Sequence, residues 1–290
     1  MRAIEKFPNL VTMFFTRAKE KGDTPFLWRK SDGQWHSLSW TEVARQVAAL
    51  AAALKAQGLK PGDPVMLVSE NRPEFCIADL AIMATGCVTV PTYTTNTTRD
   101  HQHILTDSGA RAVIVSTAKL AQALMPAVIR SQADFVIGME PLRHAYEHSG
   151  GQFLPMLLGG QIYYAEGLEK LASNIEEARP TIMVVVPRLF EVLRARIIKS
   201  IEKQGKFPTY LLNQALRIAA KEQAGKGSIL DAPMKALLAR TLIPKVRARF
   251  GGRMKALVSG GAPLNPDVGL FFQAMGLTLL QGYGQTEAGP

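Results

Sequence analysis

No stretch of this chain reaches the roughly 18–20 consecutive apolar residues that a helix needs to cross a bilayer, so no membrane span is expected. The first residues, Met1 to Phe15, mix charges with apolar side chains and meet Pro8 before any uninterrupted apolar run. They do not read as a secretory leader. Cysteine is scarce. Cys76 and Cys87 are the only two in 290 residues, both inside apolar runs. Two such thiols build no disulfide framework and lack metal-site spacing, so they are read as buried thiols of a reducing compartment, and the expected location is the cytoplasm.

Acidic residues are also short, with 24 Asp and Glu against 34 Lys and Arg, a net charge of +10. The imbalance is local. Between Arg188 and Lys255 there are 16 basic and 4 acidic residues, net +12, which leaves the rest near −2. Such a segment can meet nucleic acid, anionic lipid or a polyphosphate, and it can equally be a set of solvated helix faces. Aromatics make up 7% of the chain, and Phe207, Tyr210 and Phe250 lie far apart in the basic segment. Stacking on single-stranded nucleic acid therefore has little support, and no nucleic-acid partner is expected.

What is present is a globular composition, 47% hydrophobic and 20% charged, enough for a sizeable core. A helix is expected over Leu10–Lys21, then a hairpin of Phe26–Trp28 and Trp35–Leu38 around Ser31-Asp32-Gly33. Ser39 and Glu42 have the spacing of a capping box for a helix over Trp40–Gln57. From Pro64 the pattern alternates. Strands are read at Pro64–Val68, Cys87–Val90, Ala112–Val115 and Phe135–Ile137, with helices ending at Ala84, Ser108 and Arg130 between them. That alternation predicts an α/β fold with a doubly wound parallel sheet. The Thr-rich loop Thr92–Thr98 holds neither Gly nor Lys and is read as structural. Further along, a helix through Phe153–Leu158, a strand at Gln161–Tyr164, a helix over Gly167–Ala178 and a strand at Thr181–Val186 are expected. Helices then follow over Arg188–Lys203, Tyr210–Gln223 and Pro233–Phe250. Gly225-Lys226-Gly227-Ser228 resembles only the tail of a P-loop, lacks the earlier glycine and follows no strand, so it is rejected as one.

The most informative stretch is Met254–Pro290. Ala256–Val258 reads as a buried strand broken by Ser259-Gly260-Gly261, with Pro263 suited to the first turn of a helix that carries Phe271, Phe272 and Met275. After Gly276, Leu277–Leu280 reads as a second strand running into Gly282-Tyr283-Gly284-Gln285-Thr286-Glu287. A connection this short puts both strands in one parallel sheet, with both Gly-rich turns at carboxyl ends, where open α/β sheets bind ligands. Glycines let main-chain N–H groups approach a phosphate or base edge, Tyr283 offers a stacking face, Thr286 a phosphate donor and Glu287 a hard oxygen for Mg²⁺.

Taken together, SGGAPL and QGYGQTE resemble the adenylate-forming superfamily, and within it the long-chain fatty-acyl-CoA synthetases. The resemblance implies that Gly260, Gly261, Ala262 and Pro263 line an adenine pocket. It implies that Gln281, Gly282, Tyr283, Gly284, Gln285 and Thr286 form the second nucleotide turn, with Tyr283 stacking on adenine and Thr286 meeting the α-phosphate. Glu287 would help hold Mg. The implied substrates and cofactors are a fatty acid, ATP, Mg and CoA, and the implied reaction is ATP-dependent activation of the acid followed by thioester formation. The motif His144-Ala145-Tyr146-Glu147-His148 is similar to a family segment whose first histidine borders the acyl pocket, so His144 takes that role by resemblance. On its own terms the pair of histidines lacks a third metal ligand, and His144 reads equally as a helix cap.

Two parts that the resemblance calls for are missing. No Ser/Thr/Gly-rich loop ending in Pro-Lys-Gly precedes His144, so an internal deletion near 143/144 is expected. The chain also stops three residues after Glu287, before the family's ribose-binding Asp and C-terminal catalytic-Lys domain. The expectation is an N-terminal adenylation region, weak or inactive alone, in two α/β subdomains, 1–143 and 144–290. The basic helices add the expectation of a peripheral membrane contact.

Overall fold

A computed structural model describes residues 6–138, 153–167 and 169–282. The chain divides into two compact units, Met1–Gly167 and Leu168–Pro290.

In the first unit, α1 (Leu10–Lys21) is capped by Asn9, whose side chain accepts from Thr12 N. The hairpin pairs β1 (Pro25–Ser31) with β2 (Gln34–Ser39) through a two-residue turn in which Asp32 (φ 52°) and Gly33 (φ 75°) are both left-handed. Ser39 then starts α2 (Trp40–Ala56) with the complete capping box to Glu42. Four parallel strands follow: β3 (Pro64–Val68), β4 (Val88–Thr92), β5 (Ala112–Val115) and β6 (Phe135–Gly138), in the order β4-β3-β5-β6. The connecting helices are α3 (Pro73–Ala84), α4 (Thr98–Ser108) and α5 (Ala118–Val128).

Alternation along β3 and β5 explains why both faces are covered. Val65, Leu67, Ala112 and Ile114 join a core with residues of α1, α2 and α3. Met66, Val68, Val113 and Val115 join a separate core with residues of α4 and α5. Strands buried on both faces are the mark of a doubly wound sheet, as the alternating pattern predicts. Cys76 is fully buried and Cys87 nearly so, and burial, reinforced by nearby Asp79, pushes the Cys76 thiol up.

The stretch Ile162–Tyr164 (β7), after the short α6 (Leu154–Leu157), runs parallel to β1 and completes a sheet of order β2-β1-β7. It therefore belongs with the first unit, on the far side of the 143/144 boundary drawn from sequence, which itself falls outside the described residues.

The second unit carries α7 (Leu171–Ala178), β8 (Ile182–Val185), α8 (Pro187–Glu202) and α9 (Lys206–Gln223), then a 3₁₀ turn at Ile229–Asp231. It continues with α10 (Ala232–Arg240), α11 (Leu242–Ala248), β9 (Ala256–Ser259), α12 (Pro266–Ala274) and β10 (Leu279–Gln281). Its parallel sheet has the order β10-β9-β8. The basic helix α8 is core-facing, burying Leu189, Phe190, Leu193, Ile197 and Ile201. Phe272 is the centre of this core, with ring centroids 5.3 Å from Phe190, 6.1 Å from Phe250 and 5.3 Å from Phe271.

Two sequence expectations need correction here. The single helix expected over Pro233–Phe250 is two helices that meet at Thr241. Pro244 explains the break. In a continuous helix it would lack the N–H owed to the Arg240 carbonyl and its ring would collide with that carbonyl, whereas within the first turn of α11 the missing donor costs nothing. Thr241 Oγ1 donates to the Leu237 carbonyl at 2.7 Å, closing the last turn of α10. The helix expected to start at Pro263 starts instead at Pro266, because Asn265 caps it by accepting from Asp267 N at 2.9 Å.

Candidate functional site

The three strands of the second unit end at one level. In register, Val185 lies beside Ser259, and Ser259 beside Gln281. Each strand end is tied to the next by the residue that follows it. Gly260 N donates to the Val185 carbonyl at 3.3 Å, and Gly282 N donates to the Ser259 carbonyl at 2.7 Å. The two glycine turns, 22 residues apart in sequence, thus form one continuous edge. A Cβ built on Gly260 would lie 3.9 Å from the Gly282 carbonyl oxygen, and one on Gly282 would lie 3.7 Å from that of Ser259. Those are ordinary contacts, so space does not demand glycine at either position. Gly261 is different: its φ of 82° lies in the left-handed region that side chains disfavour.

Gly261, Ala262, Pro263, Gln281 and Gly282 are exposed along this edge, and Gly260 is half-buried. Beneath them Ser259 is fully buried, and its Oγ has no hydrogen-bond partner among the described residues. A buried hydroxyl without a partner costs on the order of 1–3 kcal/mol, so its persistence at a strand end beside two open turns is notable. The edge also receives the N-terminus of α8, which begins at Pro187, two residues after β8 ends, with no side-chain cap at Val186. Pro187 has no N–H and Leu189 N donates to the Val186 carbonyl at 3.0 Å, so what the helix start offers an anion is the Arg188 N–H and the positive dipole end of a 16-residue helix. Sequence reasoning missed both Ser259 and the α8 terminus. The signal was present in Val185-Val186-Pro187, a strand passing directly into a proline-started helix.

Among the described residues the edge thus offers the N–H groups of Gly261 and Ala262, which make no backbone hydrogen bond, together with the Ser259 hydroxyl and a helix N-terminus. That donor set fits a phosphate-bearing ligand lying across the carboxyl ends. Of the residues assigned by resemblance, Tyr283, Gly284, Gln285, Thr286, Glu287 and His144 lie outside the described residues. Among the described residues no cluster of three His, Cys, Asp or Glu is placed to hold a metal ion. The structure therefore joins Gly260, Gly261, Ala262 and Pro263 to Gln281 and Gly282, with Tyr283 next in the chain. No described helix is long and apolar enough to cross a membrane.

A family model described as AMP-binding enzyme matches this chain over residues 14–134 and 121–290. Among curated proteins, the chain is 25% identical to the long-chain-fatty-acid–CoA ligase FadD15 of Mycobacterium tuberculosis over 361 aligned residues, covering 95% of this chain and 60% of that one. The alignment is longer than the chain itself, so the relative carries internal residues with no counterpart here. The peroxisomal long chain acyl-CoA synthetase 6 of Arabidopsis thaliana is 32% identical over 157 residues, 53% of this chain and 22% of that one. Solved structures share the fold. The A-PCP didomain of a carboxylic acid reductase from Segniliparus rugosus, in complex with AMP, superposes with a TM-score of 0.69 at 17% identity, covering 100% of this chain and 54% of that one. The N-terminal domain of FACL13 from Mycobacterium tuberculosis gives 0.66 at 16% identity, covering 97% and 77%. The chain spans about 60% of the length of the first curated relatives it matches.

Proposed function

The chain belongs to the AMP-binding enzyme family, and from that premise we propose that it is the adenylation region of an AMP-forming fatty-acid–CoA ligase. The observation that carries this reading is the joined edge of the Gly260 and Gly282 turns, level with the end of β8. Substrate class follows the relatives named as long-chain-fatty-acid–CoA ligases, which align over 95% of this chain.

On this reading ATP lies across the edge, with its adenine between the Gly260–Pro263 turn and the Tyr283 ring. The α-phosphate meets Thr286, the Gly-turn N–H groups and the α8 terminus. In the first step a carboxylate oxygen of the fatty acid bonds to the α-phosphorus and the bond to pyrophosphate breaks. Donors fixed around that phosphorus stabilise the negative charge that spreads over its oxygens. Glu287 is the residue that would hold Mg²⁺, whose contribution when bound is to neutralise phosphate charge. His144 borders the acyl carboxylate. In the second step the sulfur of CoA bonds to the acyl carbon and AMP leaves.

The 290 residues contain no Pro-Lys-Gly loop to wrap the outer phosphates. The chain is therefore proposed to bind nucleotide well and to turn over poorly, so that in this form it acts mainly as a nucleotide- and acyl-binding module. The test pairs binding with turnover. ATP should raise the melting temperature of the chain, and Tyr283→Ala, which removes a base–aromatic stack worth about 1–3 kcal/mol, should largely abolish the shift. Fatty-acid-dependent exchange of pyrophosphate into ATP should stay near background. Absence of any nucleotide-dependent shift would refute the reading, and brisk exchange lost in Glu287→Ala would overturn the claim of poor turnover.

A further inference from the structure

Three turns leave the level strand ends of the second unit, and a single one of them carries a cation. No lysine or arginine occurs between Ala256 and Pro290, so the turns after β9 and β10 are without one. The turn after β8 runs Val186-Pro187-Arg188 straight into α8. Arg188 comes three residues after Val185, whose carbonyl accepts from Gly260 N at 3.3 Å. Three residues of fully extended chain span at most about 10 Å, so Arg188 starts within that reach of the joined edge.

A guanidinium at this place has the wrong sign for its helix. Arg188 stands in the first turn of α8, where the dipole is positive, and that turn holds no acidic residue and no side-chain cap. Its side chain is 82% exposed, so packing does not hold it there. Arg188 Nη1 donates to Glu191 Oε2 at 2.6 Å, and the Glu191 side chain is itself 42% exposed. An exposed pair three residues apart on a helix is weak. A phosphate competes for the same fork with two parallel charge-assisted hydrogen bonds. Because Pro187 has no N–H, the Arg188 main-chain N–H is also the first that α8 offers. In register beside Val185 lies Ser259, whose buried Oγ has no partner among the described residues. The strand ends therefore combine a weakly held cation, a positive helix end and an unpartnered hydroxyl.

We propose that Arg188 is a positioning residue for the outer phosphates of the nucleotide: ATP draws its guanidinium off Glu191 and onto the β- and γ-phosphates, so that the edge prefers a nucleoside triphosphate to a monophosphate. This inference rests on the nucleotide reading above. In a chain without a Pro-Lys-Gly loop, Arg188 is the cation that the strand-end turns supply to those phosphates. Glu191 acts as a latch, occupying the fork while the site is empty and competing with the ligand for it.

The test is calorimetric titration of the 290-residue chain with ATP and with AMP at fixed ionic strength. Arg188→Gln should weaken ATP binding about tenfold or more, the loss of one charge-assisted contact, and leave AMP binding nearly unchanged. Arg188→Lys, which keeps the charge but not the fork, should recover part of that loss. Glu191→Gln should tighten ATP binding. Lys199, at the far end of the same helix, lies about 16 Å along its axis from Arg188, roughly twice the screening length of physiological salt. Lys199→Gln should therefore leave the ratio of ATP to AMP affinity where it is. Arg188 is exposed at the positive end of the dipole, so Arg188→Gln should not lower the melting temperature. Wild-type protein that binds neither nucleotide would overturn the nucleotide reading and this inference together. Wild-type protein that binds both, with ATP and AMP weakened equally or not at all in Arg188→Gln, would overturn this inference alone. So would a matching loss in Lys199→Gln, weaker ATP binding in Glu191→Gln, or an Arg188→Gln variant that loses affinity for fatty acid and keeps it for ATP.

Discussion

Two glycines of the second unit share a left-handed backbone but not a location, and they separate a role in the site from a role in the fold. Gly261 (φ 82°) lies in the turn at the carboxyl end of β9, and Gly276 (φ 70°) lies between α12 and the amino end of β10, at the opposite edge of the sheet. Alanine in either place costs about 1–2 kcal/mol of conformational strain. Roughly 0.4–1 kcal/mol of that is offset by the stiffer unfolded chain. At Gly276 the new Cβ would also meet Ile243 Cγ2 at 3.0 Å, so Gly276→Ala should destabilise at least as much as Gly261→Ala. Ligand affinity should follow the reverse order. If Gly261 presents main-chain donors to the nucleotide, disturbing one charge-assisted hydrogen bond costs about 1.5–3 kcal/mol, or tenfold and more in affinity. Calorimetric titration with ATP, beside urea unfolding of the same samples, reads both quantities. The expected pattern is a weakened Kd in Gly261→Ala and an unchanged Kd in the less stable Gly276→Ala. Equal effects on affinity, or none in Gly261→Ala, would refute the assignment of the turn.

Phe272→Ala empties the centre of the second core, where one ring meets Phe190, Phe250 and Phe271. A loss of about 3–5 kcal/mol is expected, read as faster amide exchange in β8 and β9, and a loss under about 1 kcal/mol would contradict the packing. His101 is buried, and burial holds its imidazole below the ordinary value of 6.5 despite the opposing charge of Asp100. The unfolded chain therefore takes up the proton first, so stability should fall as pH drops below about 6.5, and His101→Gln should flatten that part of the pH–stability curve.

What could be read from the sequence was what short-range chemistry decides. The Ser39–Glu42 capping box, the Asp32-Gly33 turn and the alternating strands of the first sheet each depend on residues within a few positions of one another. The pairing of β7 with β1 joins residues more than 130 positions apart, and nothing near Ile162 announces its partner. The break at Thr241 was legible in Pro244 but is outweighed, in a simple reading, by the helical apolar pattern on either side. At the site, the parallel strands brought the two glycine turns together as the short connection implied. The Ser259 hydroxyl and the α8 terminus emerge only once the strands are in register.

The account rests on a nucleotide lying across the Gly260 and Gly282 turns, and photolabelling with 8-azido-ATP tests that most directly. No lysine or arginine occurs between Ala256 and Pro290, so trypsin releases both turns in a single peptide after Lys255. The account predicts that the label falls on that peptide and that excess ATP removes it. Label spread over the basic peptides between Arg188 and Lys255, or label that ATP does not displace, would contradict it.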